Sequence, residues 1–266
     1  MYGNTFYNQT TRRYVATFGT LFNDITITRD DNAGNEVQRM KVPIHYAPFQ
    51  KILARTEGDP NLQAPAMTLP RMSFEINSIQ YSPERKLGSL NRIVRGTPSD
   101  TSSLSYHYNP APYDLEFQLN IMAKYNEDGI KILEQILPYF KPDVTPSVKI
   151  VDELDQYFDI PIILNSVSVE DTYEADFQTR RAIIWTLQFT LKGYYFGPSS
   201  TKKVIKFVDV NFYDKIDTTA EIVESINVQP GLTANNEPTT NINETVPYAD
   251  IDIDDSWAYI VRIVDE

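Results

Sequence analysis

The chain has 266 residues, a formal net charge of −12 and no cysteine, so disulfides, thiolate metal sites and thiol nucleophiles are excluded. Apolar residues make up 41% and charged residues 23%, the balance of an ordinary soluble globular protein with a sizeable core. Apolar runs are too short to span a bilayer, and Met1-Tyr2-Gly3-Asn4 lacks the basic and apolar regions of a secretory signal.

In chain order, residues 11–23 set Tyr14, Phe18, Leu21 and Phe22 at helical spacing, with Ile25 just beyond, and predict a helix entered through Arg12 and Arg13. Residues 24–29 read as a strand with Ile25 and Ile27 on one face. An Asp/Asn/Gly cluster over 30–35 makes a turn, and residues 37–46 supply the second strand of a hairpin. His45 falls on the face of that strand opposite the apolar one. A short helix is expected over 48–55, with Pro48 near its first turn, and a loop over 57–70. Residues 71–81 form a strand through Met72, Phe74 and Ile76. Residues 82–112, punctuated by Gly, Pro, Ser and Thr, read as one long loop. This loop carries a basic excess, Arg85, Lys86, Arg92 and Arg95, and places His107 among tyrosines.

The strict alternation of Leu115, Phe117, Leu119, Ile121, Ala123 and Tyr125 with polar residues predicts a half-buried strand of an antiparallel sheet. Asn126 then caps a helix over 126–140. Its stripe of Ile130, Leu133, Ile136, Leu137 and Phe140 is expected to face that strand. Residues 161–171 and 181–194 are two further long strands, and 204–212 a strand or arm. Residues 214–255 show little periodicity, and 258–264 is an apolar, strand-competent run. The fold class expected is α+β: a mixed or mostly antiparallel sheet flanked by two to three helices, with long loops and a C-terminal arm. Residues 1–213 form the main unit and residues 214–266 an acidic extension.

Charge separates these two parts. From Asp209 to the end the chain holds 13 acidic and 2 basic residues, a net of −11, whereas residues 1–208 are nearly neutral. Nucleic-acid binding by the whole chain is disfavoured, because neutralising phosphates needs a basic excess. The 258–264 run, flanked by acids and preceded by a long polar stretch, suits addition to a sheet edge, either a partner's or that of the chain's own sheet, with its long reach favouring the partner. Enzymatic signatures are weak. Asp250, Asp252 and Asp254 open like a calcium loop, but Asp255 and Val261 stand where Gly and Glu are required. Carboxylate pairs such as Glu116 with Glu134, or Asp152 with Asp155, carry little information in an acidic chain. Phosphate-loop, dinucleotide, nucleophile-elbow and zinc-protease motifs are absent. No catalytic, cofactor-binding or metal-binding residue is assigned. With 17 tyrosines the composition favours protein contacts.

Several segments, taken together and in order, carry a family likeness. They are Arg12-Arg13-Tyr14 with Leu21-Phe22; Val42-Pro43-Ile44 with Tyr46-Ala47; Leu69-Pro70-Arg71; and Tyr108-Asn109-Pro110 with Pro112. Glu134-Gln135-Ile136-Leu137-Pro138-Tyr139-Phe140 is the most specific. Arg180-Arg181 followed by Trp185, Leu187, Phe189 and Gly193 completes the series. The chain resembles the tail sheath stabilisers, or tail completion proteins, of T4-like contractile-tailed bacteriophages. The resemblance covers residues 1–196 and fades beyond Tyr195.

The resemblance implies a structural virion protein without a cofactor. It implies a hexameric ring that caps the last sheath ring, sits on the tail-tube terminator and gives neck and head proteins a docking surface. DNA would meet it only in transit through the channel. Residues expected at interfaces are Arg12, Arg13, Arg85, Lys86, Arg92, Arg95, Arg180 and Arg181, of which the basic loop from Arg85 to Arg95 and the Arg180-Arg181 pair would face acidic neighbours. Tyr259, Ile260, Val261 and Ile263 of the C-terminal run are also expected there. A tube terminator or neck protein is the neighbouring reading, and a carboxylate-based hydrolase the reading from another class.

Overall fold

The computed structural model describes residues 5–30, 36–51, 69–97, 100–151, 156–172, 182–214 and 222–265. Its first half runs α1 (Thr10–Leu21), β1 (Thr26–Asp30), β2 (Glu36–Lys41), β3 (Ile44–Tyr46), β4 (Arg71–Tyr81), β5 (Arg92–Thr97), β6 (Asp100–Tyr108), β7 (Ala111–Ala123) and α2 (Asn126–Ile136). Then follow β8 (Asp143–Val144), β9 (Ser147–Val151), β10 (Gln156–Asp159), β11 (Ile162–Thr172), β12 (Ala182–Tyr195), β13 (Ser200–Lys203), β14 (Val208–Tyr213), β15 (Ile222–Gly231) and β16 (Ala258–Asp265). The architecture is α+β, mostly antiparallel.

The main sheet has the order β3-β4-β7-β12-β11-β8, antiparallel except for the β3–β4 pair. Its centre is the long β7–β12 ladder, in register from Ala123 opposite Ile183 to Ala111 opposite Tyr195. Because strand side chains alternate, this register puts Leu115, Phe117, Leu119 and Ile121 beside Leu187, Phe189 and Leu191 on one buried face. The other face bears a polar ladder. Gln118 donates to Asn120 at 2.9 Å, Gln188 donates to Gln118 at 3.2 Å, and Thr186 donates to Asn120 at 3.0 Å.

The apolar face is covered by α1, α2 and the β1–β2 and β9–β10 hairpins. Helix α1 buries Tyr14, Phe18 and Phe22 at helical spacing, as the sequence predicts, while Leu21 stays partly exposed. The Tyr14 hydroxyl donates to the Tyr194 carbonyl at 2.7 Å and accepts from the Tyr194 amide at 2.8 Å. Burial pushes its pKa well above the ordinary tyrosine range. Gly193 permits this contact, since a Cβ there would lie 2.7 Å from the Tyr14 ring.

The structure corrects several expectations. The strand expected over 37–46 is two strands. Val42 donates back to Ile25 and the Pro43 carbonyl accepts from Met72, so the chain leaves one sheet and joins another where proline cannot donate to a ladder. Helix α2 is rotated from the expected phase. Ile132 and Ile136 are buried, whereas Ile130 and Leu137 are each 38% exposed. Gly129 explains the rotation: a Cβ there would lie 2.6 Å from Trp185 Nε1, so the helix meets the sheet through its glycine. Beside it, buried Asp128 accepts from Arg29 at 2.7 Å, and that hydrogen bond raises the arginine's pKa.

Residues 82–112 are not one loop. They contain the β5–β6 hairpin, and β13 extends it to a three-stranded sheet of order β13-β6-β5. His107 therefore lies on a strand, buried, with its ring edge-on to Phe196 at 6.0 Å. Residues 214–255 are not featureless either. They supply β15, the centre of a third sheet of order β14-β15-β16. The strand-competent C-terminal run pairs with β15, from Ala258 opposite Gly231 to Asp265 opposite Glu224. Of the two readings of this run, pairing within its own chain is the one observed.

The connection from β15 to β16 is anchored as well. Leu232 and Ile251 are buried, Val246 donates to Leu232 at 2.8 Å, and Lys206 donates to the Ile251 carbonyl. Asp254 accepts from the Gly96 amide at 2.8 Å, joining this connection to β5. The second half of the helix expected over 48–55, most of the 57–70 loop and the 31–35 turn lie outside the described residues.

Candidate protein interface

The basic residues singled out in the sequence separate into distinct environments. Arg12 is exposed on α1, whereas Arg13 is half-buried and donates to the Lys149 carbonyl at 2.5 Å, tying α1 to β9. Arg85 is committed to the fold. It donates to Asp114 at 2.6 Å and to the Tyr113 carbonyl at 3.0 Å, and lies 5.1 Å from the Tyr194 ring centre. Its side chain is 19% exposed and that of Asp114 32%. We expect Arg85→Ala to cost about 2 kcal/mol, a charged hydrogen-bond contribution discounted for partial solvation. Urea unfolding reads that cost, and light scattering on the folded variant should show unchanged self-association. Lys86 and Arg95 are exposed. Arg180 and Arg181 lie outside the described residues.

Arg92 belongs to a different surface. Cross-strand partners share a face, so Arg92, Val94, Leu104, Tyr106, Tyr108 and Lys202 occupy one side of the β13-β6-β5 sheet. The Arg92 guanidinium sits 5.0 Å from the ring centres of both Tyr106 and Tyr108, and the Lys202 ammonium 5.6 Å from Tyr106. Val94 and Tyr108 are exposed. Two cations held over tyrosine faces form a basic, aromatic platform. The opposite side of the sheet turns Ser103, Ser105 and His107 inward.

The C-terminal sheet is amphipathic in an unusual sense. Its register stacks Val208, Val228 and Val261 in one row and Val210, Ile226 and Ile263 in the next, with Tyr259 opposite Pro230. These rows lie on one face, and that face meets water: Tyr259 is 69% exposed, and Val261 and Ile263 59% each. Asp209, Asn211, Ser225, Asn227 and Arg262 occupy the other face. Ile260 is on that other side and buried, packed against Gly231. The four residues named in the C-terminal run are thus divided, three outward and one inward.

A cleft of about 560 Å³ opens between the end of α1 and residues 134–140, lined by Leu21, Phe22, Ile25, Ile136, Tyr139 and Phe140. Of the proposed carboxylates, Glu134 lines this cleft and Glu116 does not, so the pair does not converge. Glu116 accepts from Ser78 at 2.7 Å on the polar face of the main sheet, while Glu134 is exposed on α2 across the sheet. Asp152 and Asp155 lie outside the described residues. Asp252 and Asp255 accept from backbone amides of their own turn at 2.6 and 2.9 Å. Among the described residues, no group of three His, Cys, Asp or Glu is placed to hold a metal, and no helix is long and apolar enough to cross a membrane.

Reasoning from sequence missed Val208, Val210, Phe212, Ile226 and Val228 as surface candidates. Their period-two spacing was the available signal. The family profile described as T4-like virus Myoviridae tail sheath stabiliser matches residues 5–256, and so runs well past Tyr195 into the C-terminal sheet. The chain is 30% identical over 203 residues to the tail completion protein gp15 of Enterobacteria phage T4, an alignment covering 73% of this chain and 72% of that protein.

Proposed function

This chain belongs to the T4-like tail sheath stabiliser family, and on that premise we propose that it assembles as a homohexameric ring at the head-proximal end of a contractile tail. There it caps the sheath, rests on the tube terminator and offers neck and head-completion proteins their docking surface. The exposed apolar face of the β14-β15-β16 sheet supports this reading. A contiguous exposed apolar face of that kind marks an interaction surface. A ring needs one patch that fits a different patch on the next copy, so that rotation closes the circle.

Mass and position test the proposal. The purified chain, alone and added to tails made without it, is sized by light scattering and imaged. Six copies in a ring at the head-proximal tail end are expected. A chain that stays monomeric at every concentration and does not join such tails refutes it.

A further inference from the structure

We infer that the apolar face of the β14-β15-β16 sheet docks on the basic, tyrosine-bearing face of the β13-β6-β5 sheet of a second copy of this chain. This rests on the ring reading above and adds where the ring closes. Three observations carry it.

The first is the direction of the apolar side. In a half-solvated antiparallel sheet the apolar face covers a core and the polar face meets water. Here the Val208-Val228-Val261 and Val210-Ile226-Ile263 rows meet water along both edge strands, as the polar face does through Asp209, Asn211 and Arg262.

The second is size. Three strands about 4.8 Å apart, over about six residues rising ~3.4 Å each, give a footprint of roughly 300 Å². That is a functional-sized patch, but well short of the ~800 Å² per partner of a standard interface. Apolar contact alone therefore does not hold the pair, and charge must contribute.

The third is charge. Glu224 stands opposite Phe212 at the margin of the apolar face, and the segment from Asp209 onward carries 13 acidic residues against 2 basic. Two copies joined apolar face to apolar face would bring two acidic margins together, which electrostatics opposes. The platform of Arg92, Lys202, Tyr106, Tyr108 and Val94 offers the complement: exposed apolar and aromatic surface with two cations over it, bordered at Gly96 by Asp252 and Asp254 of the same copy. Tyrosine and arginine are also the residues that anchor interfaces most often. The Gly96–Asp254 bond ties the two sheets within one copy, so every copy carries both halves of the contact. The contact is head to tail.

The absence of native cysteine makes cross-linking a clean test. Val94→Cys and Val261→Cys are introduced singly and together, and oxidised mildly at concentrations where the unmodified chain is oligomeric. The doubly substituted chain should give a ladder of covalent multimers. Each single variant should stay uncross-linked, and a mixture of the two should stop at dimers. Dimers from Val261→Cys alone would mean a face-to-face contact and overturn the proposal. A normal ring with no cross-link in the double variant would also overturn it, while leaving the ring reading standing. A chain that never oligomerises, alone or on tails, would remove both. In a second arm, Val261→Asp and Arg92→Glu should each weaken self-association at least about ten-fold with melting unchanged, because both side chains are exposed. If Arg92→Glu instead leaves the oligomer intact and abolishes retention on DNA, the basic face serves nucleic acid and the proposal fails.

Discussion

Replacing Phe18 by alanine should cost about 3–5 kcal/mol of folding stability, the largest effect expected of a single substitution in this chain. Phe18 is fully buried and stacks on Phe117 of the central strand, with ring centres 4.5 Å apart and planes within 12°. Phe22 lies at 5.0 Å, and Phe74 and Phe189 both at 5.3 Å. Four other elements or turns of chain therefore meet around one ring, and alanine leaves a cavity that none of them can fill without losing its own contacts. Each aromatic pair adds about 0.5–1.5 kcal/mol beyond area burial. At roughly 2–4 °C per kcal/mol for a chain of this size, melting should fall by about 10 °C. Urea unfolding and calorimetry check both figures. A loss below about 1 kcal/mol would mean that α1 does not dock on β7.

Ile132→Ala should follow at about 2–5 kcal/mol, because Ile132 is wholly buried between α2 and the sheet. Leu133→Ala should cost less, since Leu133 only borders the core. Ile130→Ala should stay within about 1 kcal/mol, as the side chain is partly solvated. Unfolding the three variants side by side reads the rotation of the helix. The order Ile132, Leu133, Ile130 supports the glycine contact with Trp185. A larger loss at Ile130 than at Ile132 would restore the phase suggested by the apolar stripe.

That helix shows where sequence reasoning stops. Periodicity located α2 but not its rotation, because hydropathy scores Gly129 as neutral while packing makes it the point of closest approach. Strands β7 and β12 were legible because each alternates large apolar residues with polar ones along most of its length, and β4 through the alternation of Met72, Phe74 and Ile76. β6 was not, since its inward face carries Ser103, Ser105 and His107, residues that read as loop. β15 was hidden by the Glu, Asn and Ser between its isoleucines and valines.

Among candidate interface residues, the outward set Tyr259, Val261 and Ile263 was named with the inward Ile260, because a short apolar run does not say which side is covered. Arg85 was expected to face an acidic neighbour across an interface. Its partner Asp114 lies 29 positions away on another element, a pairing that spacing does not report.

The bond between Tyr14 and the Tyr194 backbone has a consequence for how the chain is made. The two residues are 180 positions apart, and Thr11 reaches equally far to bond Tyr195 at 2.8 Å. Helix α1 therefore leaves the ribosome early and completes its seat only after β12 has been synthesised. At roughly 5–20 residues per second, that interval is on the order of 10–40 s. Throughout it, Phe18 and Phe22 are without Phe189, and the side of the cluster that β12 covers stays open. Contacts of such long range also slow the final closure. Fragments that end before residue 182 lack Phe189 and the Tyr194 backbone bond that complete the seat, so they should aggregate or stay chaperone-bound while the full-length chain is released soluble.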